Sequence, residues 1–171
     1  MHLDKLAIAL FLNKDEAASA YIFSKTSRLV KHIAYQVLHD EADAEDVMME
    51  VYLSLFGLRV RFPNQNAFLS YLCRAAKNAA VNLAKKKGRV DLSEDEDSFA
   101  SEEEKNPSPL LHDAERLLGK EDYELVTLHL CLDLPFPVIA SIQGGTASSC
   151  RGRYFRALRK LRKNLREEDY R

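Results

Sequence analysis

The 171-residue chain is poor in the residues that would give it an unusual architecture. Six glycines and five prolines are too few for a collagen-like or low-complexity chain. Three cysteines, Cys73, Cys131 and Cys150, are odd in number and form no CxxC pair. That pattern argues against a disulfide framework and for a reducing, cytoplasmic setting. His129 and Cys131 stand two apart with His112 well before them, which is not metal-ligand spacing, so no metal or other cofactor is expected. No run approaches the roughly 18 apolar residues of a membrane span. The apolar run Leu6–Leu12 is short, follows Asp4 and Lys5, and has no basic segment before it. An amphipathic first helix fits it better than a signal peptide. A P-loop, HExxH, G-x-S-x-G and a Gly-rich dinucleotide turn are all missing, and no enzyme is expected. Neither strand-like alternation nor an internal repeat is evident.

What is present is charge, and its distribution matters more than its total. The chain carries 25 Lys+Arg and 26 Asp+Glu, a formal net charge of −1. Taken whole, that total argues against a nucleic-acid binder. Residues 1–90 are net +4, residues 91–150 net −11 and residues 151–171 net +6. The small total is therefore a cancellation, and two separate basic regions remain as places to look for nucleic-acid contacts. Each basic region alone is also compatible with a solvated helix face.

The apolar pattern is helical throughout. Ile22, Leu29, Val30, Ile33, Val37 and Leu38 predict an amphipathic helix over about 17–38. A second helix follows, with Asp40 or Asp43 as cap, acids in its first turn and Gly57 as its stop. Arg59–Asn66, with Pro63, reads as a loop. Phe68–Lys86 is helical again, with Phe68, Leu72, Ala75, Ala76, Ala79 and Leu83 on one face. Residues 91–109, DLSEDEDSFASEEEKNPSP, hold eight acids, four serines and two prolines. That composition predicts a flexible, self-repelling linker. Helices are expected again over Leu110–Leu118, Glu121–Leu132, Pro137–Ile142 and Ala147–Arg166. The fold class is all-α: two small helical domains, 1–90 and 110–171, joined by the acidic linker 91–109.

The second domain contains helix-turn-helix syntax, a short helix, a Gly144–Gly145 turn and a longer helix. On the longer helix Cys150, Tyr154, Leu158, Leu161 and Leu165 form a core stripe. Between them stand Arg151, Arg153, Arg156, Arg159, Lys160, Arg162, Lys163 and Arg166, with no acid in the span. A recognition helix enters the major groove N-terminus first, so Ser148, Ser149, Arg151 and Arg153 are placed to reach base edges. Arg156 and the later cations are better placed for phosphates. Cys150 lies in the core stripe, which favours a buried structural thiol over a redox switch.

The first domain ends on the other basic region. Arg74, Lys77, Asn78, Asn82, Lys85, Lys86, Lys87 and Arg89 surround the helix end, with Phe68 and Tyr71 at its start. Cations with aromatics suit unstacked bases of a single strand, although core aromatics beside a basic helix end give the same pattern. The helix over Ala44–Phe56 is apolar almost all round, which fits either a fully buried helix or one that also meets a partner.

Together these segments resemble the bacterial RNA polymerase sigma factors of the extracytoplasmic-function branch. ADAEDVMMEVYLSLF at Ala42–Phe56 is similar to the family's core-binding signature. FLSYLCRAAKNAAVNLAKKK at Phe68–Lys87 is similar to its promoter-melting segment, and VIASIQGGTASSCRGRYFRALRKLRKNL at Val138–Leu165 to its second DNA-reading region. The resemblance implies a non-catalytic protein that binds core RNA polymerase and directs promoter recognition, melting and initiation. It implies core-polymerase contacts at Asp43, Asp46, Val47, Glu50 and Tyr52. It places a base-capturing loop at Asn64–Phe68, with Asn64, Phe68, Tyr71, Lys77, Asn78, Asn82, Lys85 and Lys86 on the minus-ten strand. Ser148, Ser149, Arg151, Arg153 and Arg156 fall to the minus-thirty-five element. Promoter DNA, core polymerase and, as often in this family, an anti-sigma factor are the implied partners.

The chain departs from the family pattern in several places. Met49 stands where the family usually has Gln, Tyr71 for Trp, Val138 for Glu and Gly145 for an apolar residue. Pro135 and Pro137 flank Phe136, and Gly152 costs the last helix roughly 1 kcal/mol relative to Ala. These mark a divergent member and bear on the minus-thirty-five contact more than on the fold. Two other functions fit the residues without the family: a stand-alone helix-turn-helix regulator with no polymerase binding, and a protein-interaction module with solvated basic faces.

Overall fold

A computed structural model describes residues 2–88 and 109–164, the side chains of 109–112 excepted. All of the described secondary structure is helical, and no strand occurs among the described residues. The acidic segment expected as a linker lies outside them, apart from Pro109, which opens a helix. The helices fall into two compact units.

The first unit contains α1 (Lys5–Leu12), α2 (Glu16–Leu38), α3 (Glu41–Leu55) and α4 (Gln65–Lys86). Each start is fixed by a short polar side chain that satisfies an otherwise unpaired backbone donor. Asp4 accepts from the Leu6 N–H at 3.1 Å, Asp15 from Ala18 at 2.8 Å, Asp40 from Asp43 at 2.9 Å and Asn64 from Ala67 at 3.0 Å. The cap of α3 is thus Asp40, one of the two residues expected. The chain turns after α3 at Gly57, whose φ of +83° suits glycine and whose N–H donates to the Leu12 carbonyl.

In this unit α2 packs against α1, α3 and α4. Ile22, Leu29, Val30 and Ala34 of α2 meet Val47, Val51 and Leu55 of α3 and Leu69, Leu72 and Ala76 of α4 in the buried core. Phe11 sits edge-on to Tyr52 and Phe68 and tilted against Phe56. The buried face of α4 is rotated from the expected one. Phe68, Leu72 and Ala76 are buried as expected, but Leu69, Cys73, Ala80 and Ala84 complete the face, leaving Ala75, Ala79 and Leu83 half-buried. The reason is that α4 packs mainly between α2 and α3, with α1 against its first turn. Small side chains at Cys73, Ala76, Ala80 and Ala84 let another helix approach along that line.

The second unit contains α5 (Pro109–Leu118), α6 (Lys120–Val126), α7 (Phe136–Gln143) and α8 (Ala147–Asn164). The single helix expected over Glu121–Leu132 is divided. After Val126 it loosens into a π-helical turn over Thr127–Cys131, closed by the Leu132 N–H on the Thr127 carbonyl at 3.2 Å. The extra residue in this turn leaves Leu128 buried and Leu130 on the surface. Gly144 and Gly145 take φ of +82° and +91° in succession, which explains glycine at Gly145 where an apolar residue would be strained. Thr146 then caps α8, accepting from the Ser149 N–H at 3.1 Å. The core holds Leu125, Leu128, Leu134, Val138 and Ile139, with Cys150, Tyr154 and Ala157 of α8. Ala157 replaces Leu158 and Leu161, both half-buried, as the third residue of the stripe, and Leu165 lies outside the described residues.

Candidate nucleic-acid interface

Among the described residues, exposed cations cluster on the last turns of α4 and along α8, and each cluster is shaped by which neighbouring groups are turned inward. On α4 the last three turns expose Asn78, Asn82, Lys85 and Lys86, while Lys77 is half-buried. No acidic residue occurs in the sequence between Glu50 and Asp91, and Asp43, which reaches this helix end from α3, pairs with Lys87. Lys85 and Lys86 also stand in the last turn, where the helix dipole favours positive charge.

The start of α4 is arranged differently from the expectation. Phe68 is fully buried, edge-on to Phe11 and Phe62, so its ring belongs to the core and presents no surface to a base. The Asn64 side chain is taken up as the helix cap. Tyr71 is half-buried with its ring edge-on to Phe62 at 5.4 Å. Beside them, the Asn66 amide oxygen is buried with no hydrogen-bond partner among the described residues. An acceptor of that kind suits a donor brought from outside, since buried polar atoms are ordinarily paired.

The five α3 residues expected at a polymerase surface separate into two sets. Asp46 and Glu50 are exposed, whereas Asp43, Val47 and Tyr52 are buried. Asp43 pairs with Lys87 at the end of α4. Tyr52 shares a 2.7 Å hydrogen bond with Thr26, and burial pushes its phenol up to about 12. The outer surface of α3 is therefore built from Asp46 and Glu50 beside two exposed apolar residues, Met49 at 50% and Leu53 at 63% exposure. Lys31 of α2 bridges Glu41 and Glu45 at 3.0 and 2.8 Å and fixes the first turns of α3, and these acids raise the lysine's pKa.

On α8, Ser148, Ser149, Arg151 and Arg156 are exposed, and Arg159, Lys160, Arg162 and Lys163 continue the basic face. Arg153 differs. Its Nε donates to Asp122 Oδ1 at 2.8 Å and its Nη2 reaches Glu121 Oε2 at 3.1 Å, both on α6. The guanidinium of Arg151 lies 5.8 Å from the Phe136 ring centroid. Phe136 is stacked on His129 at 4.1 Å, and His129 Nδ1 contacts the Leu134 carbonyl oxygen at 2.7 Å. His129 is thereby held in a ring cluster with Tyr154, and no group of three metal-ligating side chains occurs among the described residues.

Residues 22–90 match the family model of sigma-70 region 2. The chain as a whole is 27% identical over 163 residues to the RNA polymerase sigma factor CarQ of Myxococcus xanthus, an alignment covering 90% of this chain and 94% of that protein. The chain thus carries a segment that matches sigma-70 region 2, and along most of its length it is similar to an RNA polymerase sigma factor. The region 2 match runs from within α2 through α3 and α4, and so includes the acid–apolar surface of α3 and the basic end of α4. Among the described residues no helix is long and apolar enough to cross a membrane.

Sequence reasoning overlooked the groups that support the second unit. Thr146 had a local signal, a hydroxyl directly after two glycines and just before a helix. The Asp122–Arg153 contact had none, because 31 residues separate its partners. The packing of Phe136 beneath Arg151 likewise depends on how α7 crosses α8.

Proposed function

We propose that this chain is a sigma factor that binds core RNA polymerase through the exposed side of α3 and directs it to promoters, with one basic helix face serving each of two DNA elements. Asp46, Met49, Glu50 and Leu53 form the polymerase-facing surface, where a partner covers the apolar pair and cations meet the acids. Asn78, Asn82, Lys85 and Lys86, with Lys77, hold the melted non-template strand of the minus-ten element. Tyr71 and the unpartnered Asn66 oxygen lie where a displaced base is received. Ser148, Ser149, Arg151 and Arg156 face the minus-thirty-five duplex. The first unit and α5–α8 thus divide the promoter between them, and the protein itself catalyses nothing.

The observation that carries this reading is the pairing of the acid–apolar surface of α3 with the exposed Lys85 and Lys86 at the end of α4, inside the segment that matches sigma-70 region 2. Co-elution of the purified chain with bacterial core RNA polymerase tests it. Wild-type protein co-elutes, and the double variant Met49→Asp/Leu53→Asp, altered only at exposed positions, keeps its helicity and loses the complex. Wild-type chain that stays separate from core would overturn the reading.

A further inference from the structure

Arg151 and Arg153 stand two residues apart, about 200° around a helix of roughly 100° per residue. One of them must turn towards the body of the unit when the other faces out. Arg153 is the inward one, with 22% of its side chain exposed, and both bonds from its guanidinium go to α6. The same short helix also holds α7, because Gln143 Nε2 donates to the Glu121 carbonyl at 3.2 Å and to Glu124 Oε2 at 3.0 Å. The acids of α6 therefore grip both helices of the helix-turn-helix. Arg151 has no such partner among the described contacts and lies over the face of Phe136. A guanidinium on an aromatic face keeps its N–H edges open for other acceptors.

We propose that these two arginines, alike in sequence, have separate jobs: Arg151 is presented to duplex DNA from the Phe136 ring and determines specificity, whereas Arg153 is a positioning residue held by Asp122 and Glu121. This rests on the promoter-reading function proposed above for α8 and removes one of its expected contacts. The acids on α6 fix the angle at which α8 leaves the turn. They also withdraw one cation from the DNA-facing surface, so affinity there depends on fewer charges than the sequence suggests. Phe136 restricts the Arg151 side chain before binding, which lowers the entropy lost on contact.

The test uses the full chain bound to bacterial core RNA polymerase and a pool of random-sequence duplexes, with thermal melting of the chain alone as a second readout. Arg151→Ala weakens binding to the selected duplex about tenfold and relaxes the preference at one base pair. Arg153→Ala leaves the selected sequence unchanged, and its effect on melting is non-additive with that of Asp122→Ala. Arg153→Lys recovers part of the melting loss. Phe136→Leu weakens binding in the wild-type background and adds nothing to Arg151→Ala, whereas Phe136→Tyr, which keeps the ring, binds as wild type. An altered sequence preference in Arg153→Ala, or additive melting effects of Arg153 and Asp122, would overturn the assignment. Failure of the wild-type complex to select any sequence would overturn the promoter-reading function, and this assignment with it, whatever the melting cycle gives.

Discussion

Asp43, buried in the first turn of α3, accepts a hydrogen bond from the ammonium of Lys87 directly after α4. The contact joins residues 44 apart in sequence and closes the first unit where its acidic and basic helix ends meet. An acid of the α3 signature thus holds the fold together, while Asp46 and Glu50 on the same helix face outward.

The consequence is a separation of stability from binding along a short stretch of lysines. Asp43→Ala lowers the unfolding free energy by about 1–3 kcal/mol, because it removes a charged hydrogen bond from a largely buried site. Lys85→Ala, on the exposed face, changes stability by less than about 0.5 kcal/mol. Urea unfolding of both variants checks the contrast, and equal losses would contradict it.

Phe68 behaves as a core residue. Phe68→Ala costs about 3–5 kcal/mol, as expected for truncating a fully buried aromatic side chain. A variant with wild-type melting and defective DNA binding would contradict that placement.

Much of the fold was legible in the sequence, for identifiable reasons. Helix starts were marked by Asp40 and by acids in the first turn, and α2 by the spacing of Ile22, Leu29, Val30 and Ile33. These signals are local, and local signals survive without knowledge of neighbours. The rotation of α4 was not legible, since it depends on both α2 and α3 packing against it. The π-helical turn at Thr127–Cys131 was hidden because an apolar run is compatible with either helical period. Within the site, cations could be counted from sequence, but not sorted. Only the partners show that Arg153 is tied to Asp122, that Asn64 is a cap, and that Phe68, Val47 and Tyr52 are interior.

Gly152 gives a prediction of opposite sign. It lies inside α8, and a Cβ built there meets nothing within 4 Å. Gly152→Ala therefore stabilises the protein by about 0.5–1 kcal/mol through helix propensity. Thermal melting reads the gain, and an unchanged or lower melting temperature would contradict it.

The three thiols differ in access. Cys73 and Cys150 are buried and Cys131 is exposed. Burial also pushes the Cys73 thiol up to about 12, so it is scarcely ionised near neutral pH. With a thiol reagent at pH 8, the native protein modifies rapidly at Cys131, and Cys73 and Cys150 react only after denaturant is added. Rapid native labelling of Cys150 would contradict its place in the α8 core.

Alkaline pH acts through the same interior. Tyr52, held by burial at about 12 against an ordinary value of 10.0, is favoured in its neutral form by the fold. Its contribution is complete below about pH 10 and is lost as pH rises towards 12, since the unfolded chain releases the proton first. Unfolding measured at pH 9 and pH 11 shows a fall in stability, and Tyr52→Phe makes that fall smaller. An equal fall in the variant would contradict the assignment.

Run-off transcription with purified bacterial core RNA polymerase tests the central claim most directly. Templates drawn from the source genome supply the candidate promoters. The account predicts discrete transcripts that require this chain, that weaken in Lys85→Ala/Lys86→Ala and Arg151→Ala, and that vanish in Met49→Asp/Leu53→Asp. No chain-dependent transcript from any template, with core shown active by another sigma factor, would contradict it.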